Sequence, residues 1–365
     1  MNEAAGTGTG GEVPPVQGRN PRLVVVGYGY AGRSFHCYLI SLVPGLTLHG
    51  VMTRNPETQA KVRSERPGVK VYASLEEVLG DDEVDAVVLA TPHDTHAPYA
   101  LAALRAGKHV VTDKPMCLTL AEARAMYAAA ESARRHLTVF HNRRWDSEYL
   151  TLRKLMSEGV LGEGPGGVRW LEMAWNRFGT WRSWRASAAR GGGRLYDLGS
   201  HMLDQALTLF TEPVVSVYAR THYDFPDTDT PSHCQVTVGF EGGRTAVVDC
   251  TSMSRFEKPR MLAMGMAGTF VKFGVDPQEA AMVKGDIDAA VVPPEQWPRL
   301  ITADGARMVP PVPGRWRCFY EHVERLLRGT EGPVIRRHEM LRLLSVLDAA
   351  HESIRTGQVV RPEAV

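Results

Sequence analysis

The stretch "VVVGYGYAGRSFHCYLI", Val24 to Ile40, decides how the first half of the chain is read. Gly27, Gly29 and Gly32 stand there in G-x-G-x-x-G spacing, between an apolar β-branched run and a helix-like run. By itself the spacing fits either a nucleotide site or an ordinary tight turn, so its surroundings must decide. They alternate. "LVVV" (Leu23–Val26) reads as a strand and Ala31–Leu42 as a helix, followed by "LTLHGVMT" as a strand and Pro56–Arg66 as a helix. "VKVY", "SLEEVL", "DAVVLAT", a helix over His96–Ala106 closed by Gly107, "HVVT", an Ala-rich helix over Leu120–Arg135 and "LTVF" complete the series. Strand–helix alternation with short links calls for a parallel sheet with right-handed crossovers.

In that context the glycines have separate tasks. Gly27 permits the tight turn, Gly29 lets backbone approach a pyrophosphate, and Gly32 lets helix and strand pack closely. The helix N-terminus attracts the phosphates. Tyr28, Tyr30 and Ala31 complete the candidate cofactor loop. The end of the second strand selects the cofactor. An NAD site usually places an acid there for the ribose 2′-hydroxyl. This chain reads "GVMTRNPE", with Thr53 and Arg54 at the position and no acid before Glu57. A hydroxyl and a guanidinium hold a 2′-phosphate that a carboxylate would repel. The expected cofactor is NADP, with NAD second.

After Phe140 the pattern changes. A helix is expected over Trp145–Glu158, then longer strands "VRWLEMAW", "VVSVYART", "CQVTVGF", "TAVVDCTS" and "GTFVKFG", with "FEGGRT" as a hairpin turn. Helices are expected over Gly199–Phe210, Trp316–Arg328 and His338–Thr356. The expected fold is α/β: a Rossmann dinucleotide-binding domain over residues 21–142, then an α+β substrate and oligomerisation domain with a large, mostly antiparallel sheet over 143–365. Residues 1–20, rich in Gly and Pro, read as a disordered tail with no apolar core of a signal peptide.

Bulk composition removes several partner classes. The 365 residues exceed what one core usually serves. Net charge is +1, which gives no reason to expect nucleic acid or a charged membrane surface. No run of 18 apolar residues occurs. Five scattered cysteines without C-x-x-C argue for a reducing compartment, so a cytoplasmic location is expected.

Chemistry enters at the strand ends. "ATPHDTH" (Ala90–His96) follows the fourth strand and "VVTDKP" (Val110–Pro115) the fifth, both on the edge where such sheets bind ligands. Thr91, Pro92, His93, His96, Asp113, Lys114 and Pro115 are therefore cofactor-side candidates. His93 and His96 have H-x-x-H spacing, but no further ligands accompany them, and no metal is expected. Lys114, fixed by Pro115, points to the cleft, where an ammonium can bond a hydroxyl being oxidised. In "GGGRLYDLGSHMLDQAL" (Gly191–Leu207), Asp197 and His201 stand four apart at a helix start. They share a face, and a histidine beside a carboxylate suits proton transfer near neutral pH. Asp204 reads as a residue that fixes backbone or His201.

"GYGYAG", "TPHDTHAPYALAALRAGKHVVTDKP" and "GGGRLYDLGSHMLDQA" together resemble the glucose–fructose oxidoreductase, inositol dehydrogenase and rhizopine-catabolism (Gfo/Idh/MocA) family, over about residues 21–355. That family more often has Glu where Asp113 stands. The resemblance implies a catalytic Lys, Asp and His, which fall on Lys114, Asp197 and His201. "FHNRRWDSEYLTLRKLM", "LYDLGSHMLDQALTLF" and "FVKFGVDPQEAAM" are most similar to NADP-dependent scyllo-inositol dehydrogenases and close relatives. The implied reaction interconverts a secondary alcohol of a cyclic polyol or sugar and its ketone. His201 would exchange the proton, Lys114 would stabilise the oxygen, and Asp197 would orient His201. "WNRFGTWRSWRASAAR" (Trp175–Arg190) reads as a loop over the active site. Asn142, Arg143, Trp145, Asn176 and Arg177 are candidate hydroxyl-binding groups. A homodimer or homotetramer is expected. The rival readings are a non-catalytic dinucleotide sensor, and an aldose or trans-dihydrodiol dehydrogenase on the same fold.

Overall fold

Runs of three or four apolar residues need cover on both faces, and the first half of the chain provides it. The computed structural model describes residues 13–164 and 167–365. Its first sheet contains β1 (Arg22–Val26), β2 (Thr47–Met52), β3 (Lys70–Tyr72), β4 (Ala86–Leu89), β5 (His109–Thr112) and β6 (Leu137–Val139). All pairs are parallel, in the order β3-β2-β1-β4-β5-β6. The order reverses between β1 and β4, which makes their C-terminal edge the crevice where such sheets take ligands. Caps act as their residue types predict. Ser74 Oγ accepts from Glu77 N at 3.2 Å, and Thr119 with Glu122 forms a capping box on the helix Leu120–Ala133.

The second sheet contains β7 (Val168–Asn176), β8 (Val214–His222), β9 (His233–Phe240), β10 (Thr245–Thr251), β11 (Met261–Gly265), β12 (Gly268–Lys272), β13 (Arg299–Thr302) and β14 (Gly305–Met308). Their order is β14-β13-β12-β11-β7-β10-β9-β8. β7 and β10 run parallel and every other pair antiparallel. The hairpin turn at Gly242 and Gly243 uses φ of +77° and +83°, as the Gly-Gly pair allows. The helix Arg337–Thr356 packs on β8 and on the helices Leu120–Ala133 and Ser200–Leu209. It thereby joins the two sheets through one apolar core. On the other face, Trp170, Leu262, Met264, Val271 and Ile301 are half-buried or exposed.

Several expectations need correction. β11, β13 and β14 carry little β-branched alternation, and β14 is exposed along its length, so periodicity does not reveal them. The helix expected over Ala31–Leu42 opens as a π-turn, Gly32–His36, before α-helix over Cys37–Ser41. The helix expected from Trp145 starts at Ser147, after a 3₁₀ turn over Asn142–Trp145. The expected tail is too long. Val16 N donates to Leu327 O at 2.8 Å, Asn20 Nδ2 donates to Pro44 O at 2.8 Å, and Arg19 pairs with Asp85. Residues 1–12 of that tail lie outside the described residues. All five cysteines are free, and among the described residues no helix is long and apolar enough to cross a membrane.

Candidate active site

The glycine loop is shaped by contacts only glycine allows. At Gly27, φ is +100° and a Cβ would sit 2.4 Å from Ala90 O. A Cβ on Gly32 would meet Gly27 O at 2.0 Å, which is the close packing its position predicts. A Cβ on Gly29 would meet nothing within 4 Å, and the residue opens on a cavity of about 780 Å³. Gly27, Gly29, Tyr30 and Ala31 line that cavity, with Thr91, Pro92 and His93 from the end of β4 and Asp113 and Lys114 from the end of β5. Both strand ends thus open on the cavity. Tyr28 turns away instead, its hydroxyl 3.0 Å from Glu65 Oε2.

His96 is buried, with Nδ1 2.8 Å from Pro115 O and Nε2 3.0 Å from Thr91 O. It ties the two strand-end loops together and does not converge with His93, whose Nδ1 faces Gly191 O at 2.7 Å. Burial pushes the His93 pKa down to about 3. Asp113 Oδ1 accepts from Lys114 N at 2.7 Å, and His36 Nε2 lies 3.5 Å from Asp113 Oδ2. Thr53 and Arg54 lie outside the cavity at the end of β2. Arg54 is exposed, its Nη2 3.3 Å from Tyr99 Oη.

The second half contributes Asp197 and His201 from the segment Leu195–Leu209, a π-turn running into α-helix. Lys114 Nζ donates to Asp197 Oδ1 at 3.0 Å and to the Asp197 carbonyl at 2.5 Å. Arg185 Nε donates to Asp197 Oδ2 at 3.3 Å. Burial alone would raise the Asp197 pKa; the charges of Lys114 and Arg185 outweigh it and hold the carboxyl well below its usual range. The expected Asp197–His201 pair is therefore corrected: Asp197 holds the lysine. The i,i+4 spacing promises proximity on one helix face, but a cation from another element competes better for the carboxylate. His201 is buried, faces the His141 ring at a centroid distance of 6.2 Å, and its pKa is driven well below 6.5 by burial, then by Lys114 and Arg143. Asp204, expected to fix backbone or His201, instead takes Arg144 in a two-point pair at 2.8 and 2.7 Å.

Of the candidate hydroxyl-binding groups, Asn142, Arg143 and Arg177 line the cavity; Trp145 and Asn176 do not. The Trp145 ring lies on Phe319 and His322. Asn176 keeps both side-chain polar atoms buried within the protein. Arg143 is held by Asp146 at 3.3 Å and Glu279 at 3.0 Å, with its guanidinium carbon 4.4 Å from the Trp175 ring centre. Glu279 also accepts from Tyr30 Oη at 3.0 Å, linking the glycine loop to the second half. Glu279 lies within "FVKFGVDPQEAAM", where nothing in the spacing singles it out. Trp181, Trp184 and Arg185 line the cavity from the loop expected to cover it, though nothing in their spacing singles them out.

Known proteins resemble both halves of the chain. Residues 21–141 match the oxidoreductase family with an NAD-binding Rossmann fold, and residues 149–271 match the GFO/IDH/MocA C-terminal domain. The chain is 35% identical to the uncharacterized oxidoreductase YdgJ of Escherichia coli, over 92% of this chain and 97% of that one. It is 30% identical to scyllo-inositol 2-dehydrogenase (NADP(+)) IolW of Bacillus subtilis, over 93% and 95%. A crystal structure of an NAD-binding protein from Listeria innocua superposes with a TM-score of 0.80, at 29% identity over 94% of this chain and 97% of that one. With both halves matched and a glycine loop and a Lys–Asp pair on one cavity, the chain belongs to the Gfo/Idh/MocA family of oxidoreductases, with an NAD(P)-binding Rossmann domain.

Proposed function

We propose that the protein interconverts a secondary alcohol of a cyclic polyol or sugar and its ketone, with NADP preferred over NAD. The observation that carries this reading is that Lys114, Asp197, His201 and the glycine loop all face one cavity. Gly29, whose missing Cβ leaves open space, gives room for a pyrophosphate, and no side chain of the loop fills it. When bound, the nicotinamide supplies the acceptor or donor of a hydride.

The chain supplies the rest. The Lys114 ammonium, aimed by Asp197, donates to the substrate oxygen and stabilises charge developing there. Neutral His201 takes the hydroxyl proton as the alcohol is oxidised. Burial and the nearby cations hold the ring neutral and make it a weak base, so it takes the proton only from a hydroxyl that Lys114 has acidified. In the reverse direction the same ring returns the proton to the ketone oxygen. The indoles of Trp175, Trp181 and Trp184 line the same cavity and hold the guanidiniums of Arg143, Arg177 and Arg185 against their rings, which positions these donors for the hydroxyls of a ring-shaped substrate. The IolW relative, named for an NADP-dependent reaction on scyllo-inositol, supports the same class. A non-catalytic sensor would have no need for a lysine held by a buried carboxylate in its cofactor cavity.

The test is NADPH and NADH consumption over a panel of keto-inositols and keto-sugars. Turnover of at least one, with higher kcat/KM for NADPH, is expected. No turnover on any, with cofactor bound, overturns the alcohol–ketone reading; equal or better kcat/KM with NADH overturns the NADP preference. We also propose a homodimer or homotetramer formed through the second sheet, whose outer face carries Trp170, Leu262, Met264, Val271 and Ile301. Light scattering at micromolar concentration giving a monomer mass refutes it.

A further inference from the structure

Charge in the cavity is unbalanced at one end. Its cationic lining is Lys114, Arg143, Arg177, Arg182 and Arg185; its acids are Asp113, Asp197 and Glu279. Each acid is already engaged: Asp113 by His36, Asp197 by Lys114 and Arg185, Glu279 by Arg143. Among the described residues, neither Arg177 nor Arg182 has a carboxylate within ion-pair distance. Both are exposed to the cavity mouth.

The crowding is tighter than exposure requires. The Trp181 ring carries the Arg177 guanidinium carbon at 4.4 Å, that of Arg194 at 4.8 Å and that of Arg185 at 6.0 Å from its centre. Arg194 is fully buried, bonded to Ser252, and its pKa falls to about 10 through burial and then the nearby charge of Arg177. An indole face offsets part of this repulsion but offers no acceptor oxygen. Arg185 shares the single carboxylate of the group, Asp197, with Lys114. Guanidinium forks match the oxygens of a carboxylate or phosphoryl group in two-point geometry. The dinucleotide's own phosphates do not explain the cluster. Arg177 extends β7 of the second sheet, with its backbone N–H donating to Thr251 O at 3.1 Å, whereas the pyrophosphate cradle belongs to the first sheet.

We propose that Arg177 and Arg182 at the cavity mouth bind an anionic group of the substrate, a carboxylate or a phosphoryl. The substrate is then an acidic or phosphorylated member of the sugar and polyol class. This rests on the alcohol–ketone reading above for the rest of the substrate, but not for the anion site itself.

The experiment uses the full-length protein saturated with NADPH. Calorimetric titrations compare glucose with glucuronate in a carboxylate arm and with glucose 6-phosphate in a phosphoryl arm; myo-inositol against inositol 1-phosphate forms a second phosphoryl pair. At least one anionic compound is expected to bind at least tenfold tighter than its neutral counterpart. That margin should shrink as salt is raised. It should collapse in the Arg177→Gln/Arg182→Gln double variant. Neutral compounds binding as tightly as the anionic ones overturn the proposal, as does a margin that survives in the double variant. A double variant that loses NADPH affinity while keeping the margin also overturns it, because the arginines would then serve the cofactor. The two readings separate by turnover. Anion binding that depends on both arginines, with no keto analogue reduced, upholds this site and refutes the alcohol–ketone reading. Reduction of neutral keto-polyols without any anionic preference does the reverse.

Discussion

The two ends of the cavity are built in opposite ways. At the glycine loop the surface is mostly backbone, set by positive φ at Gly27 and by a missing Cβ at Gly29, within a few residues of continuous sequence. At the other end the surface is side chain: Arg143, Trp175, Arg177, Trp181, Arg185, His201 and Glu279 come from segments far apart in the chain. A backbone cradle recognises what all dinucleotides share. A wall of long side chains, drawn from several elements, is what a substrate would meet. Lys114 stands at the join, on the loop after β5 of the first sheet but held by a carboxylate of the second half.

If that division is sound, removal of chemistry should leave the backbone cradle intact. Lys114→Ala and His201→Ala should each lower kcat about 10²–10⁴-fold on the best substrate found, with NADPH affinity largely kept. Steady-state kinetics beside an NADPH fluorescence titration would measure both. More than a tenth of parental kcat in His201→Ala removes it as the proton carrier. The opposite perturbation is Gly27→Ala, whose Cβ would lie 2.4 Å from Ala90 O at a φ of +100°. We expect NADPH affinity to fall about tenfold or more, roughly 1.4 kcal/mol or more. A variant that binds NADPH like the parent contradicts a backbone-built cradle.

Acid should destabilise the fold as a whole. Burial lowers the pKa of His93 to about 3, of His109 to about 3 and of His141 to about 4. Unfolded, these rings titrate near 6.5, so between about pH 6.5 and those values the unfolded chain binds protons that the folded chain refuses. Stability is therefore present above the unfolded pKa and falls as pH drops through this window. Each histidine contributes a slope of about 1.4 kcal/mol per pH unit. Thermal melting from pH 7 to 4 should show a falling Tm; a flat Tm would mean these rings are not buried neutral. The smallest effect expected is at the exposed Arg54. Arg54→Ala should weaken NADPH binding by about tenfold or less and leave NADH nearly unchanged. Equal weakening of both cofactors would assign Arg54 a general role and not one at the 2′-phosphate.

Much of the parallel sheet was legible because its signals are local. Ser74 with Glu77, Gly27 with Gly32, and the apolar runs of β1, β4 and β5 act over a few residues, where φ/ψ limits and capping bonds dominate. The second sheet was less legible. β11, with sequence MLAMG, becomes a strand because β7 and β12 pair with it on both sides.

For the site, the sequence alone pointed to segments that meet around one cavity: the glycine loop, the ends of β4 and β5, the helix start carrying Asp197 and His201, and the Trp- and Arg-rich loop. The tertiary structure decided who partners whom. Asp197 faces Lys114 instead of His201, Asp204 takes Arg144, Trp145 packs into the core against Phe319, and Glu279 bridges Tyr30 to Arg143. Spacing along a helix says which side chains share a face. It does not say which charge from another element will arrive there, and a buried carboxylate is claimed by the nearest available cation because leaving it unpaired costs more than any local arrangement returns.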